Sequence, residues 1–396
     1  MDSIALSQLQ IAHHQIIERL IRRVITEKDA AALVGKSVRQ VRRMKQHVLA
    51  SGVSGLIHGN TGKHPWNKQR QRFVDHIVTL YTTKYVGFNC LHFRDMLEER
   101  EGIIVKREWL REVFLAHHLP RKKRRAQRRF EHRERKPQSG MLIQQDTSTH
   151  DWLGTGVPCA LVASIDDATN EVVYAQFFPS DGTIPNMAAM KRTVETHDAP
   201  VAFYVDRASH FITTRHESVH VQLTGRYDET QIARALKEIG TTLILALSPQ
   251  AKGRVERLFE TLQDRLIKEL ALENIKTIDD GNRFLTSWIP VFNRRFMVPP
   301  VSRILAYRSL PNHLLLERIF SIQEDRLVRA DNTISYAGRT YLISASSTRV
   351  SFAKAAVTVH LYIDGTIHIF YQGRELAYTM SWTQSRGNGE DIIAWE

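Results

Sequence analysis

From Arg121 to Lys136 the chain reads RKKRRAQRRFEHRERK, and ten of these sixteen residues are Lys or Arg. Like charges at that density repel one another and bring no apolar surface to bury, so this stretch cannot join a packed core. It has to lie on the surface. It also divides the 396-residue chain into two parts with different periodicities, which suits a multidomain protein. Laid against DNA, such a run neutralises several phosphates and gives an affinity that falls steeply with salt. Residues 121–139 therefore read as a basic linker, with Arg121, Lys122, Lys123, Arg124 and Arg125 as phosphate contacts.

The part before the linker is helical. Ile11, Ile16, Leu20 and Val24 are spaced to line one face of a first helix. Thr26 with Asp29 and Ser37 with Gln40 each fit a capping box, and Gly35 lies between the two helices they open. In the second of these helices Val38, Val41, Met44 and Val48 fall near one face, while Arg39, Arg42, Arg43 and Lys45 fall mostly outside it. Two short helices joined by a glycine turn, the second one basic, predict a helix-turn-helix DNA-binding domain over residues 1–58. A glycine- and proline-bearing linker follows. Residues 69–120 then predict a second helical DNA-binding domain, with Lys106 and Arg107 exposed at the start of its last helix.

After Gly140 the pattern becomes α/β. MLIQQD, CALVASID and VVYAQFF read as three consecutive strands, with DATNE a turn between the last two. Helix and strand then alternate through NMAAMKRTVETH, VAFYVD, DETQIARALKEIG and TTLILAL, ending in the helix of LSPQAKGRVERLFETLQDRL. Strand-strand-strand followed by alternation predicts a mixed sheet flanked by helices over residues 140–310. Residues 325–396 predict a small β-barrel or sandwich, most clearly at the Asp364-Gly365 hairpin turn.

Composition agrees with a DNA partner. The formal net charge is +13 and the isoelectric point is near 9.8. Cys90 and Cys159 are too far apart in sequence for a cysteine zinc motif or a disulfide framework. No leader-like segment opens the chain and no apolar run is long enough to span a bilayer, so a cytoplasmic protein without a membrane partner is expected.

Three carboxylates carry chemistry. Asp146 and Asp206 end predicted strands, and Glu256 lies in the first turns of a helix that follows a strand. Acids that converge at such positions repel unless cations neutralise them. Hard oxygen donors suit Mg²⁺ or Mn²⁺, and two such ions can clamp both oxygens of a phosphodiester under displacement. Asp151, Asp166 and Asp167 are rival acids, and Asp166-Asp167 reads as a turn. Lys252 and Arg254 beside Gly253 fit a close approach of the DNA backbone. His210 reads either as a contact to DNA or as a satisfied structural histidine.

The segments LIQQDTSTHDWL, FYVDRASHF, LSPQAKGRVERLFETLQDRLIKEL and FNRRFMVPP resemble the integrase core of bacterial insertion-sequence transposases of the ISNCY-type DDE group, relatives of retroviral integrases. The resemblance implies an RNase H-like core and a metal-binding catalytic triad of Asp146, Asp206 and Glu256 holding two Mg²⁺ or Mn²⁺ ions. It also implies binding of double-stranded transposon ends and target DNA by a dimer or higher homo-oligomer, with strand cleavage and strand transfer. Many members carry Lys or Arg seven residues after the glutamate. Here Gln263 stands there and Arg265 is the nearest basic residue, while the segment Arg215 to Gln231 reads as an insertion. The competing readings are a transposase-derived DNA-binding regulator without catalysis and a structure-selective nuclease of the same fold.

Overall fold

The computed structural model describes residues 8–57, 69–120, 134–212, 229–246, 253–311, 315–345 and 349–381. The chain divides into two compact units, Met1–Leu80 and Tyr81–Glu396.

In the first unit, helices α1 (Gln8–Ile21), α2 (Glu27–Val34) and α3 (Val38–Ser51) enclose a small core of Ile17, Leu20, Ala30, Ala31, Val41 and Val48. Both expected capping boxes form. The Thr26 hydroxyl accepts from Asp29 N–H at 3.3 Å and the Asp29 carboxylate accepts from Thr26 N–H at 3.0 Å. The Ser37 hydroxyl accepts from Gln40 N–H, and the Gln40 side chain accepts from Ser37 N–H. Gly35 ends α2 with φ 66°, a left-handed conformation that a residue with a Cβ adopts only under strain. The buried face of α1 differs from the expected one. Ile17 and Leu20 point inward, whereas Ile11 is 45% and Val24 63% exposed. Val24 falls beyond the last turn of α1, so helical spacing no longer governs where it points.

Helix α4 (Gln71–Thr83) crosses the division. In the second unit, α5 (Cys90–Arg100) starts at Asn89, whose side chain accepts from Leu91 and His92 N–H. The next helix, α6 (Arg107–Ala116), begins after Lys106 without a side-chain cap.

Five strands then form one sheet: β1 (Ile143–His150), β2 (Cys159–Asp166), β3 (Val172–Phe178), β4 (Ala202–Val205) and β5 (Thr242–Leu245). Their order is β3-β2-β1-β4-β5, with β2 antiparallel to both β1 and β3, and β1, β4 and β5 parallel. This is the mixed sheet that the element order predicts. β2 is buried along its whole length, as a strand covered on both faces has to be. One face packs under α9 (Gly253–Leu272) and α10 (Ile278–Phe296), around Trp152, Leu161, Phe177, Leu262 and Trp288. The other packs under α7 (Thr183–His197) and α8 (Gln231–Glu238), around Ile143, Met190, Phe203 and Leu236. The expected Ser248-Pro249 start of α9 and most of the expected insertion lie outside the described residues.

Helix α5 is fastened to the helices above the sheet by buried polar groups. His92 Nε2 lies 2.8 Å from Glu269 Oε1, and Trp288 Nε1–H donates to the other Glu269 oxygen at 2.9 Å. Asp95 accepts from Arg265 at 2.8 Å and pairs with Arg295 at 3.0 Å. Burial pushes the His92 pKa down, so the imidazole is neutral and donates its Nε2 proton to the carboxylate. Isolated buried charges are costly, and these are held by mutual pairing.

After the short helix α11 (Leu316–Ile319), the chain forms two small sheets. β6 (Ile322–Leu327), β9 (Ala356–Leu361), β10 (Ile367–Tyr371) and β11 (Arg374–Leu376) make one, in the order β11-β10-β9-β6; β7 (Thr333–Tyr336), β8 (Arg339–Ile343) and β12 (Tyr378–Ser381) make the other, in the order β12-β8-β7. A single cluster, including Ile334, Tyr341, Phe352, Val359 and Ile369, draws from both sheets. The Asp364-Gly365 turn joins β9 to β10 as expected. Ala337 and Gly338, with φ 48° and 73°, make the β7–β8 turn.

Candidate active site

Side chains alternate between the two faces of a strand, and this decides where the acids of the sheet point. Ile143 on β1 and Phe203 and Val205 on β4 all enter the core under α7 and α8. Gln144 therefore faces α9, and so does Asp146 two residues on; Asp206, next after Val205, falls on that same side. β1 and β4 run parallel with Ile143 opposite Phe203 and Gln144 opposite Tyr204. The same register carried two residues further sets Asp146 beside Asp206, on strands about 4.8 Å apart. Both aspartates are half-buried. Asp146 Oδ1 accepts from Thr147 N–H at 3.1 Å, and Asp206 Oδ1 accepts from Ala208 N–H at 3.0 Å, the latter turning the chain after β4.

Helix α9 reaches this region through Gln144, which is fully buried. Its Oε1 accepts from Val255 N–H at 3.3 Å and its Nε2–H donates to Asp167 at 2.7 Å. Arg254 Nε donates to the same Asp167 oxygen at 2.6 Å. The first turn of α9 is thus tied both to β1, two residues from Asp146, and to the turn after β2. Glu256 lies in that first turn and is exposed. Among the described residues, no three His, Cys, Asp or Glu side chains stand together as a metal-holding group. The donor chemistry of Asp146, Asp206 and Glu256, carboxylate oxygen only, fits a hard divalent cation. The β1–β4 register, extended past Gln144 and Tyr204, aims the two aspartates at neighbouring positions, and Glu256, exposed in the first turn of α9, forms no three-acid group with them among the described residues.

The rival acids have structural explanations. Asp151 accepts from Thr155 and Gly156 N–H, each at 3.0 Å, and these amides hold its pKa below the usual carboxylate range. Asp166 is the last residue of β2 and fully buried. Its two oxygens collect donors from Ser139, Gly140, Ala168 and Thr169. Asp167 also accepts from Lys136 N–H at 2.8 Å. His210 has a structural partner: its Nε2 lies 3.2 Å from the Asn186 amide nitrogen, which donates. Asn186 in turn accepts from Gln145 at 2.8 Å beneath β1.

Of the basic residues read from the sequence, Arg39, Arg42 and Arg43 are exposed on α3 and Lys45 is half-exposed. Arg42 Nε pairs with Glu27 at 2.7 Å. Lys106 and Arg107 are exposed at the start of α6. Arg254 is largely buried against Asp167. Arg121, Lys122, Lys123, Arg124, Arg125 and Lys252 lie outside the described residues. Arg265, the nearest basic residue to Gln263, is buried against Asp95 with its guanidinium 4.9 Å from the Phe296 ring centre, which removes it from the protein surface. Gln144 and Asp167 escape sequence reasoning. Gln144 carries a signal, since it alternates with Asp146, but the pairing of Asp167 with Arg254 spans 87 residues and leaves none.

No protein-family model matches the chain. Among solved structures, a simian T-cell lymphotropic virus intasome chain is similar at 11% identity and a TM-score of 0.33, over 78% of this chain and all of that one. An HTLV-2 integrase catalytic core domain, solved in complex with magnesium, is similar at 12% identity and a TM-score of 0.26, over 37% of this chain and 83% of that one. Likenesses that slight decide nothing about this chain. Whole-chain sequence similarity is far stronger. The transposase for insertion sequence IS1202 of Streptococcus pneumoniae is 26% identical over 89% of this chain and 82% of its own length. The "Putative transposase y4bF" of Sinorhizobium fredii is 31% identical over 96% of this chain and 82% of its own length. Similarity on that scale takes in both helical units, the mixed sheet and the β tail together, and the chain belongs to the insertion-sequence transposases.

Proposed function

We propose that this transposase binds the terminal inverted repeats of its element and catalyses strand cleavage and strand transfer with Asp146, Asp206 and Glu256 as the metal-holding carboxylates of an RNase H-like core. The observation that carries the reading is the β1–β4 register, which supports a side-by-side placement of Asp146 and Asp206 on the face that α9 covers. Glu256 completes the set from the first turn of α9. Two Mg²⁺ or Mn²⁺ ions, when bound, supply charge neutralisation at the scissile phosphate and lower the pKa of the attacking hydroxyl. The chain itself orients the DNA. The α2–α3 pair is the helix-turn-helix reader, with Arg39, Arg42, Arg43 and Lys45 toward the duplex. Lys106 and Arg107, with the basic run Arg121, Lys122, Lys123, Arg124 and Arg125, follow the phosphates; Lys252 adds a backbone contact near the start of α9, where Arg254 is held against Asp167.

Water opens one phosphodiester to leave a 3′-hydroxyl and a 5′-phosphate. The freed 3′-hydroxyl then displaces a target-strand 3′-oxygen, so one phosphodiester forms as another breaks. Two element ends have to meet for this, which requires a dimer or higher oligomer on DNA. The test is cleavage and joining of an element-end duplex with Mg²⁺ or Mn²⁺. Glu256→Gln is expected to lose joining on the order of 10²-fold or more while still binding the end, as for loss of a group that stabilises transition-state charge. A wild-type chain that joins no better than Glu256→Gln overturns the catalytic reading. The exposure of Glu256 outside any three-acid cluster favours a second reading, a DNA-binding regulator without catalysis. Tight end-binding by wild type with no cleavage under either metal would decide for it.

A further inference from the structure

Between the start of α9, the end of α10 and the turn after β2 lies a cavity of about 120 Å³. Its floor is apolar, formed by Ile165, Leu258 and Phe292, and three arginines, Arg135, Arg254 and Arg257, line its rim. Asp167 pairs with Arg254 at 2.6 Å beside the opening. Arg135 Nη1 donates to the Asn170 side chain at 2.8 Å, which anchors its guanidinium at the turn after β2.

The cavity is separate from the candidate active site. At 3.6 residues per turn, Arg254, Arg257, Leu258 and Thr261 share one flank of α9, while Glu256 lies about 200° round from Arg254. The buried stripe of Val255, Leu258 and Leu262 runs between the two flanks.

We propose that this cavity is a phosphodiester-binding site, a second anchoring point for a DNA strand on the flank of α9 opposite Glu256. Guanidinium forks match phosphate oxygens in pairs of hydrogen bonds, and a partly apolar floor strengthens each of them by lowering the local dielectric. The sequence points to the source of the phosphate: Arg135 belongs to the basic run that begins at Arg121, so a strand neutralised by that run also presents its phosphates to Arg135. The cavity therefore holds the strand at one fixed point, where the linker alone supplies only diffuse attraction. This rests on the DNA-handling reading above.

The experiment is the salt dependence of binding to an element-end duplex, read by fluorescence anisotropy with the full chain. Arg135→Gln with Arg257→Gln is expected to lower the slope of log K against log salt by about 0.9, the loss of one phosphate contact, with roughly 10-fold weaker binding at low salt. A control, Arg192→Gln with Arg283→Gln, removes the same charge from exposed sites of the same unit. If control and cavity variants change the slope equally, or the cavity variant leaves it unchanged, the proposal is overturned. Should the double variant melt lower than wild type, the exposed Arg135→Gln alone carries the test, with the same expected direction. Thymidine monophosphate is the second probe. If it raises the melting temperature while the DNA slope is indifferent to the cavity variant, the cavity is a free-nucleotide site and not a strand anchor. Binding is read throughout, so a chain that never joins DNA leaves this test intact.

Discussion

Arg265→Met separates a structural arginine from a DNA-contacting one. Arg265 Nη2 donates to Asp95 Oδ2 at 2.8 Å between two nearly water-free side chains, and its guanidinium lies over the Phe296 ring. Removing one partner of a buried ion pair typically costs about 3–5 kcal/mol, because the other charge stays behind. Asp95 keeps Arg94 at 2.8 Å and Arg295 at 3.0 Å, and methionine keeps an apolar contact on the ring, so the cost belongs near the lower end, about 3 kcal/mol. In a large unit each kcal/mol moves the melting temperature by roughly 2–4 °C, which gives a fall of roughly 6–12 °C by calorimetry. Asp95→Leu combined with Arg265→Met removes both charges, and Arg295 retains Glu99 at 2.9 Å. The double variant is therefore expected to melt above the sum of the two single losses. The salt slope of DNA binding is expected to match wild type. If Arg265→Met melts like wild type yet weakens DNA binding, Arg265 reaches DNA and the buried-clamp reasoning fails.

Two further outcomes follow from buried groups away from the site. Asp166→Ala strands the donors of Ser139, Gly140, Ala168 and Thr169 at the head of the sheet and is expected to cost about 3 kcal/mol or more in denaturant unfolding; a loss below about 1 kcal/mol would mean the carboxylate is dispensable. His360 in the β tail is buried, and burial pushes its pKa from 6.5 down to about 4. The unfolded chain then takes up a proton before the folded one does, so stability is full above about pH 6.5, falls between there and about pH 4, and levels off below. His92 is lowered by burial too and adds in the same direction. Melting temperatures measured from pH 7 to pH 4 are expected to fall less steeply in His360→Asn than in wild type, and identical curves would contradict the assignment.

Much of the molecule was legible wherever a signal is local. Thr26, Asp29, Ser37 and Gln40 give the helix starts because each capping bond joins residues three apart. Asp364-Gly365 gives a hairpin because a tight turn depends on its own two residues. The order of strands and helices gave a mixed sheet because three successive strands with short turns pair as a meander, whereas strands separated by helices return in parallel. The burial of α1 was misjudged at Ile11 and Val24 because spacing shows that a face exists but not how far a helix runs or what covers its ends. Nor does the sequence show that Arg265 is buried, because its partner Asp95 on α5 lies 170 residues away.

The acids divide the same way. The sequence alone determined that Asp206 closes a strand and that Glu256 opens a helix, since secondary structure follows from neighbours along the chain; it ended the first strand at Asp146, whereas β1 runs on to His150 because its pairing with β2 continues to Cys159. It also determined the density of positive charge from Arg121 to Lys136, which keeps that run out of any core and needs no fold to do so. Only the tertiary structure decided that both aspartates share a face, through the β1–β4 register and the Ile143, Phe203 and Val205 core beneath. Only it could bring Asp166 against Ser139 and Gly140, tie α9 to β1 through Gln144, and gather Arg135, Arg254 and Arg257 around one cavity. These are meetings of residues from about 20 to over 100 positions apart. Their energies come from burial and pairing in space, and those terms exist only once the sheet and its two helical layers have closed.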